Sequence, residues 1–227
     1  MTTPSILLLA SASPRRRQLL PLLGLPFATC VSPVDEDETQ ERYRGPIEGL
    51  ARWLAEHKAK GALTLDEAAH HIVIAADTTV LLDGKVLGKP RDKAHARELL
   101  LSLRGRWHQV VTGVAVSRLI DGKAEIHSAS CCTPVLMSPY SEELIAAYIA
   151  TGDPLDKAGA YGIQHPEFQL PERINGCYLD VVGLPLCTLV DLLARFDVQP
   201  AEEGRKGPGC RWSAWCKVYD REGTAAV

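Results

Sequence analysis

Two short runs without a polar side chain, Ile6-Leu7-Leu8-Leu9-Ala10 and Ile72-Val73-Ile74-Ala75-Ala76, constrain this chain's fold more than any other feature. A strand with one wet face alternates apolar and polar residues, whereas an unbroken apolar run suits a strand covered on both faces of a sheet. The first run leads directly into Ser11-Ala12-Ser13-Pro14-Arg15-Arg16-Arg17, and Leu19, Leu20, Leu22 and Leu23 then supply an apolar stripe before Gly24. Ser13 reads as an N-cap with Pro14 at the first helical position. Strand, short polar loop and helix start together offer free backbone N–H groups to an anion.

The remaining elements follow the same logic. A helix is expected from Ile47 to Ala62, with Leu50, Ala51, Leu54 and Ala55 at helical spacing and Lys58 one turn further on. The second apolar run ends in Asp77-Thr78-Thr79. Val80 to Leu87 reads as a β-hairpin turned by Asp83-Gly84, and Asp92 caps a helix that runs to about Leu103, with Gly105 just beyond. Gln109 to Leu136 is strand-like with a turn at Asp121-Gly122, and Ser141-Glu142-Glu143 opens a helix that stops near Gly152. Asp156 to Gly162 has neither period and reads as a loop placed for its backbone. Val181 to Pro185 reads as a strand end with a turn, and Leu186 to Phe196 as a closing amphipathic helix. Helices and strands mixed in this way imply an α/β or α+β domain with a mostly continuous sheet. The 227 residues allow one compact domain or two small lobes sharing a cleft.

Composition removes several functions. With 25 Lys+Arg against 28 Asp+Glu, a net charge of -3 provides no global basic field for coating a nucleic acid. No apolar run approaches the roughly 18 residues of a membrane span. The N-terminal run is followed by a triple arginine rather than a small-residue cleavage site, so a cytoplasmic protein is expected. The seven cysteines form no CxxC pair and read as reduced thiols rather than a zinc site. Neither the P-loop pattern nor GxGxxG occurs, and no histidine falls in an HxxxH or HExxH spacing.

Charged residues just past strands are the informative ones, because ligands of open α/β sheets gather where strands finish. Arg15 and Arg16 follow the first strand, Asp77 the second, and Lys89 the hairpin in Gly88-Lys89-Pro90. Brought together, they would combine fixed cations with a carboxylate, an arrangement suited to phosphate and metal chemistry. Guanidinium forks and ammonium groups neutralise the roughly four charges of a nucleoside triphosphate, and a divalent metal links phosphate oxygens to carboxylates. Attack by water on phosphorus then needs a carboxylate base or a metal-activated water. Taken singly, each residue has a plainer reading. A triple arginine is a solvated basic face, an Asp after a strand is a turn residue or cap, Asp35-Glu36-Asp37-Glu38 is a solvated acidic loop, and Lys58 is a surface lysine.

Five segments in order resolve the choice. Leu9-Ala10-Ser11-Ala12-Ser13-Pro14-Arg15-Arg16, Ala75-Ala76-Asp77-Thr78, Gly88-Lys89-Pro90-Arg91-Asp92, Asp156-Lys157-Ala158-Gly159-Ala160-Tyr161-Gly162-Ile163-Gln164 and Val182-Gly183-Leu184-Pro185-Leu186 closely resemble the Maf family of nucleoside triphosphate pyrophosphatases. The resemblance runs from about Ile6 to Phe196. It implies an elongated α/β fold with a mixed sheet and two lobes around a deep cleft, related to the inosine triphosphate pyrophosphatases. The implied reaction is hydrolysis between the α and β phosphates with a divalent cation, Mg²⁺ or Mn²⁺. Position by position, it implies Asp77 as catalytic base, with Arg15, Arg16, Lys58 and Lys89 as phosphate-contacting cations. Glu36 is implied as a metal-site residue with Asp77, and Ser11 and Ser13 as loop hydroxyls able to donate to phosphate. It also implies a homodimer with a small-molecule substrate and no nucleic-acid or membrane partner.

The Lys-Ala-Gly-Ala-Tyr-Gly-Ile-Gln stretch resembles the subfamily acting on dTTP and UTP, whose specificity positions match Arg15, Thr78 and Gln164. A glutamine amide can pair with the O4/N3–H edge of uracil or thymine. A second subfamily prefers 7-methyl-GTP and differs in this loop. A rival from another class is a nucleotide-binding regulator of septum formation, which would keep the cations without needing Asp77. One departure bears on base selection: where the family usually continues Gly-Ile-Gln-Gly, this chain reads Gln164-His165-Pro166-Glu167. The domain is expected over 1–199. Over 200–227, the breaker-rich linker Glu202 to Gly209 leads to a Cys- and Trp-bearing tail that either docks on the domain or lacks order of its own.

Overall fold

The computed structural model describes residues 7–200 and, in backbone only, Tyr219 and Asp220. Its centre is a mixed sheet of eight strands. The first apolar run forms β1 (Leu7–Ala10), parallel to β2 (Phe27–Cys30) on one side and to β3 (Ile72–Leu82) on the other. The hairpin strand β4 (Lys85–Leu87) and the long β5 (Trp107–Ile120) both pair antiparallel with β3. Beyond them β6 (Lys123–Met137), β7 (Pro171–Ile174) and β8 (Tyr219–Asp220) continue the sheet antiparallel. All four residues of β1 are buried, as an unbroken apolar run requires.

Helices cover both faces. On one face lies α3 (Leu50–Ala62), which presents Ala51, Ala55, Ala59 and Ala62, all fully buried, to the sheet. Small side chains let the helix axis come close, and Gly113 of β5 completes the fit. A Cβ there would lie 2.3 Å from the Arg52 amide nitrogen and 2.4 Å from Ala51 carbonyl atoms, so no other residue is accommodated. Gly113 pairs in register with Asp77 of β3, so this close approach sets the helix directly over that carboxylate.

The opposite face carries two apolar clusters. One gathers Leu7, Leu9, Ile72, Ile74, Val114 and Val116 beneath α1 (Pro14–Leu19), α6 (Tyr178–Val182) and α7 (Leu186–Leu193). The other gathers Val80, Leu82, Val110, Val135 and Met137 with α4 (Lys93–Leu103) and α5 (Glu142–Ala150). Between them runs a row of polar residues in register across three strands, Thr78, Thr112 and Cys131.

Several turns and caps follow the sequence reading. Asp83-Gly84 and Asp121-Gly122 take left-handed φ at both positions, 51° and 71°, then 49° and 73°, as tight hairpins demand. Asp92 accepts the His95 N–H at 2.8 Å and Ser141 accepts the Leu144 N–H at 3.3 Å. Other expectations need correction. Ser13 precedes α1 in extended conformation, yet its hydroxyl makes no capping bond. Val181 and Val182 lie in helix α6 rather than a strand, because Leu179 and Val182 bury in the first cluster and packing overrides the β-branched preference. The acidic run is no loop: Asp35 caps α2 (Glu36–Glu41) by accepting the Glu38 N–H at 3.0 Å. Strands β2 and β7 were without a signal in the sequence, being short and half-exposed. The expectation for the tail falls outside the described residues, apart from the backbone pairing of Tyr219–Asp220 with β7.

Candidate functional site

Parallel β1 stops at Ala10, its pairing with β3 ending at Leu9 and Ile74, while β3 runs on to Leu82. Asp77 is therefore in the middle of a strand, not at its end. It nevertheless stands just past the point where its parallel neighbour ends, which is where α/β sheets open a ligand crevice. A cavity of about 1220 Å³ lies there, lined by Ser11, Ser13, Arg15 and Arg16 from the β1–α1 loop and α1, Glu36 of α2, Lys58 of α3, Asp77 and Thr78 of β3, Lys89, and Gln164. The fold thus gathers every site residue expected from the sequence around one space.

At its floor one ammonium holds two carboxylates. Lys58 Nζ lies 2.5 Å from Asp77 Oδ1 and 2.8 Å from Glu36 Oε1. The stem of Lys58 is buried on the apolar side of α3 and its head emerges at the cavity, the usual way a long cation reconciles an apolar stem with a charge. Burial alone would raise the Glu36 carboxyl, but Lys58, Lys89 and Arg16 together hold it below its ordinary value. Glu36 is accordingly ionised at neutral pH.

Arg16 is committed to the protein. Its guanidinium donates to the Gly183 and Ala76 carbonyls, both at 2.8 Å, to Thr78 Oγ1 at 3.1 Å and to Ser11 Oγ at 3.3 Å. Thr112 Oγ1 donates to the Asp180 carbonyl at 2.8 Å, so in the 3.0 Å contact between Thr78 and Thr112 the proton comes from Thr78. A directed chain results, Arg16 to Thr78 to Thr112 to the backbone of α6. Ser11 Oγ also accepts the Ser13 N–H at 3.2 Å, which leaves its own O–H to donate. Arg15 and Lys89, in contrast, make no side-chain hydrogen bond or close ion pair among the described residues.

The far wall is built on Tyr148 of α5. Its hydroxyl donates to Asp153 Oδ2 at 2.6 Å and accepts the Gly162 N–H at 3.0 Å. Lys157 Nζ is held by Asp153 Oδ1 at 2.9 Å and Asp156 Oδ1 at 2.7 Å. Gly159 takes a left-handed φ of 68° while its N–H reaches the Gly88 carbonyl at 3.0 Å, tying this wall to the Lys89 segment. Tyr161 is buried against His108, whose Nε2 lies 2.6 Å from the phenol oxygen. Burial pushes the His108 imidazole down to about 4, so it is neutral.

Residues 6–196 match the family described as Maf-like protein. This chain belongs to the Maf family. It is 44% identical over 207 residues to a dTTP/UTP pyrophosphatase of Thermomicrobium roseum, covering 90% of this chain and 91% of that protein. A dTTP/UTP pyrophosphatase of Moorella thermoacetica is 46% identical over 197 residues, covering 86% and 96%. One from Dehalococcoides mccartyi strain CBDB1 is 40% identical over 223 residues, covering 97% and 95%.

Within this Maf cavity the expected residues divide by what they touch. Lys58, Asp77 and Glu36 form one ion-paired unit, Arg15 and Lys89 face open space, and Gln164 is exposed on the far wall. Arg16 and Thr78 spend their polar atoms on the fold. Sequence reading missed Thr112 and Asp180, which support them. Asp180 had a signal, a lone charge inside Tyr178-Leu179-Asp180-Val181-Val182, and it is fully buried with Oδ1 accepting the Thr112 N–H at 3.0 Å. Thr112 had none, since a threonine inside a strand is ordinary.

Proposed function

We infer that this Maf protein is a dTTP/UTP pyrophosphatase, a hydrolase that splits the nucleoside triphosphate between its α and β phosphates. The observation that carries the reading is the ion-paired Asp77–Lys58–Glu36 unit facing two cations that make no hydrogen bond to the fold, Arg15 and Lys89, across one cavity. These cations take phosphate oxygens as charge-assisted hydrogen bonds, each worth about 1.5 to 3 kcal/mol. Asp77 accepts the proton of the attacking water. Lys58 holds that carboxylate in place, and its ammonium faces the same space as the developing charge. The Ser11 O–H adds a neutral donor, with Ser13 beside it in the loop.

Glu36 and Asp77 suit a divalent cation of the Mg²⁺ or Mn²⁺ type, which takes one or two carboxylates from protein and the rest of its oxygens from phosphate and water. Among the described residues no group of three or more His, Cys, Asp or Glu forms a ready cage, and Lys58 stands between the two carboxylates. The donor set therefore fits a cation arriving with the triphosphate. Bound there, it would neutralise charge on the departing pyrophosphate.

Gln164 supplies the donor and acceptor that a uracil or thymine edge requires. Arg15 and Thr78 complete the specificity set, Thr78 by way of Arg16, which donates to its hydroxyl at 3.1 Å. Two further parts of the reading come from the family resemblance, a homodimeric assembly and a cytoplasmic location. No described helix is long and apolar enough to cross a membrane. Pyrophosphate release measured on dTTP, UTP, CTP and 7-methyl-GTP, with Mg²⁺, Mn²⁺ or EDTA, tests the function. Fastest turnover on dTTP and UTP, lost in EDTA, is expected. A dominant rate on 7-methyl-GTP overturns the specificity, and absence of turnover on all four overturns the enzyme.

A further inference from the structure

We propose that His165 is the positioning residue for the nucleobase end of the cavity, its imidazole anchoring the turn that carries Gln164. The proposal rests on the dTTP/UTP reading above. His165 Nδ1 lies 3.2 Å from the Glu167 amide nitrogen and 3.1 Å from that of Phe168. Both are donors, so Nδ1 accepts from both and the ring carries its proton on Nε2. A side-chain acceptor taking N–H groups two and three residues on is the pattern of an Asx turn, with an imidazole nitrogen in place of a carboxamide oxygen.

The ring is held as well as bonded. It stands edge-on to Tyr148, centroids 5.5 Å apart, and meets Phe168 at 5.0 Å. Tyr148 is the same ring whose hydroxyl accepts the Gly162 N–H. Gln164 therefore sits on a short span between two fixed points, Gly162 and His165, both referred to Tyr148 on α5. Gln164 is exposed on the cavity wall and makes no hydrogen bond of its own within the described fold. Its placement depends on those two anchors. His165 itself has no left-handed φ, so its side chain stands there without backbone strain.

Of the charged groups near the ring, Asp153 on the turn after α5 interacts with it electrostatically and is itself bonded to the Tyr148 hydroxyl and paired with Lys157. Asp153 is held below the usual carboxylate range: burial raises it, and Lys157, Tyr148 and His165 more than offset that.

Steady-state kinetics on dTTP at one neutral pH test the proposal. His165→Ala raises KM about tenfold with kcat little changed, equivalent to about 1.4 kcal/mol. His165→Asn, whose carboxamide oxygen accepts the same two N–H groups, rescues KM. An unchanged KM in His165→Ala, or a KM in His165→Asn as high as that of His165→Ala, overturns the proposal. Nitrogen NMR of the wild-type imidazole is independent of turnover: an Nε2–H tautomer supports the anchor and an Nδ1–H tautomer overturns it. Failure of the wild-type protein to hydrolyse dTTP or UTP would refute the functional reading instead, and the tautomer would still judge the anchor.

Discussion

Lys58 and Asp77 form a buried ion pair, Nζ to Oδ1 at 2.5 Å, contributed by a helix and a strand that only the small residues of α3 and Gly113 allow to meet. The pair is also the point where stability and chemistry overlap. Removing one partner leaves the other charge in a place chosen for both.

Asp77→Asn tests the chemistry. The amide keeps the shape and can still accept from Lys58, so the protein is expected to fold and bind nucleotide. It loses the base, and kcat should fall by about 10² to 10⁴, the usual range for a general base. Pyrophosphate release alongside nucleotide binding by calorimetry reads both quantities; turnover at the wild-type rate removes Asp77 from its assigned role.

Lys58→Met tests the pair itself. The thioether fits the apolar groove on α3 but abandons a carboxylate buried to nine parts in ten, with an expected loss of about 3 kcal/mol of stability in urea denaturation. Combining it with Asp77→Asn removes the stranded charge, so the double variant should be more stable than the sum of the singles. Strict additivity would mean the two groups are not coupled.

The two arginines should separate. Arg16→Lys loses the planar fork that reaches Gly183, Ala76, Thr78 and Ser11, and is expected to lower the unfolding midpoint as well as activity. Arg15→Ala touches no internal partner, so stability should hold while KM for the triphosphate rises. Equal thermal shifts in the two variants would contradict this division.

Asp180 makes stability depend on pH in a sense opposite to most carboxylates. Burial pushes its pKa up to about 8, against the Thr133 and Thr112 hydrogen bonds that favour the ionised form. The folded protein therefore keeps a proton that the unfolded chain releases near pH 4. Wherever the native state binds more protons, stability falls as pH rises, so the loss accumulates from about pH 4 and is complete above about pH 8. Asp180→Asn should flatten that slope in denaturation curves taken from acid to alkaline pH. A slope equal to the wild type would assign the dependence to other groups.

Short apolar runs, turn pairs such as Asp83-Gly84, caps such as Asp92 and the order of five motifs are local properties, and from them the strands, most helices and the list of site residues were legible in the sequence alone. What those residues touch was not. Arg16 and Gly183 stand 167 positions apart, and nothing in a helix-start arginine says that its donors will close on a distant carbonyl rather than on a phosphate. Lys58 read as a surface lysine because periodicity assigns a face, while burial depends on which strand lies opposite and how closely Gly113 lets it approach. Asp77 looked like a strand end because the polar residues begin there; the partner strand β5 carries β3 onward to Leu82. His165 read as a departure from a glycine, and only the placement of Tyr148 and two backbone amides turns it into an anchor. The sequence by itself determined which groups are present and the local shapes they prefer. Tertiary structure decided which charges are paired and which are left for substrate, because pairing is set by distances between segments that the chain's local preferences do not encode.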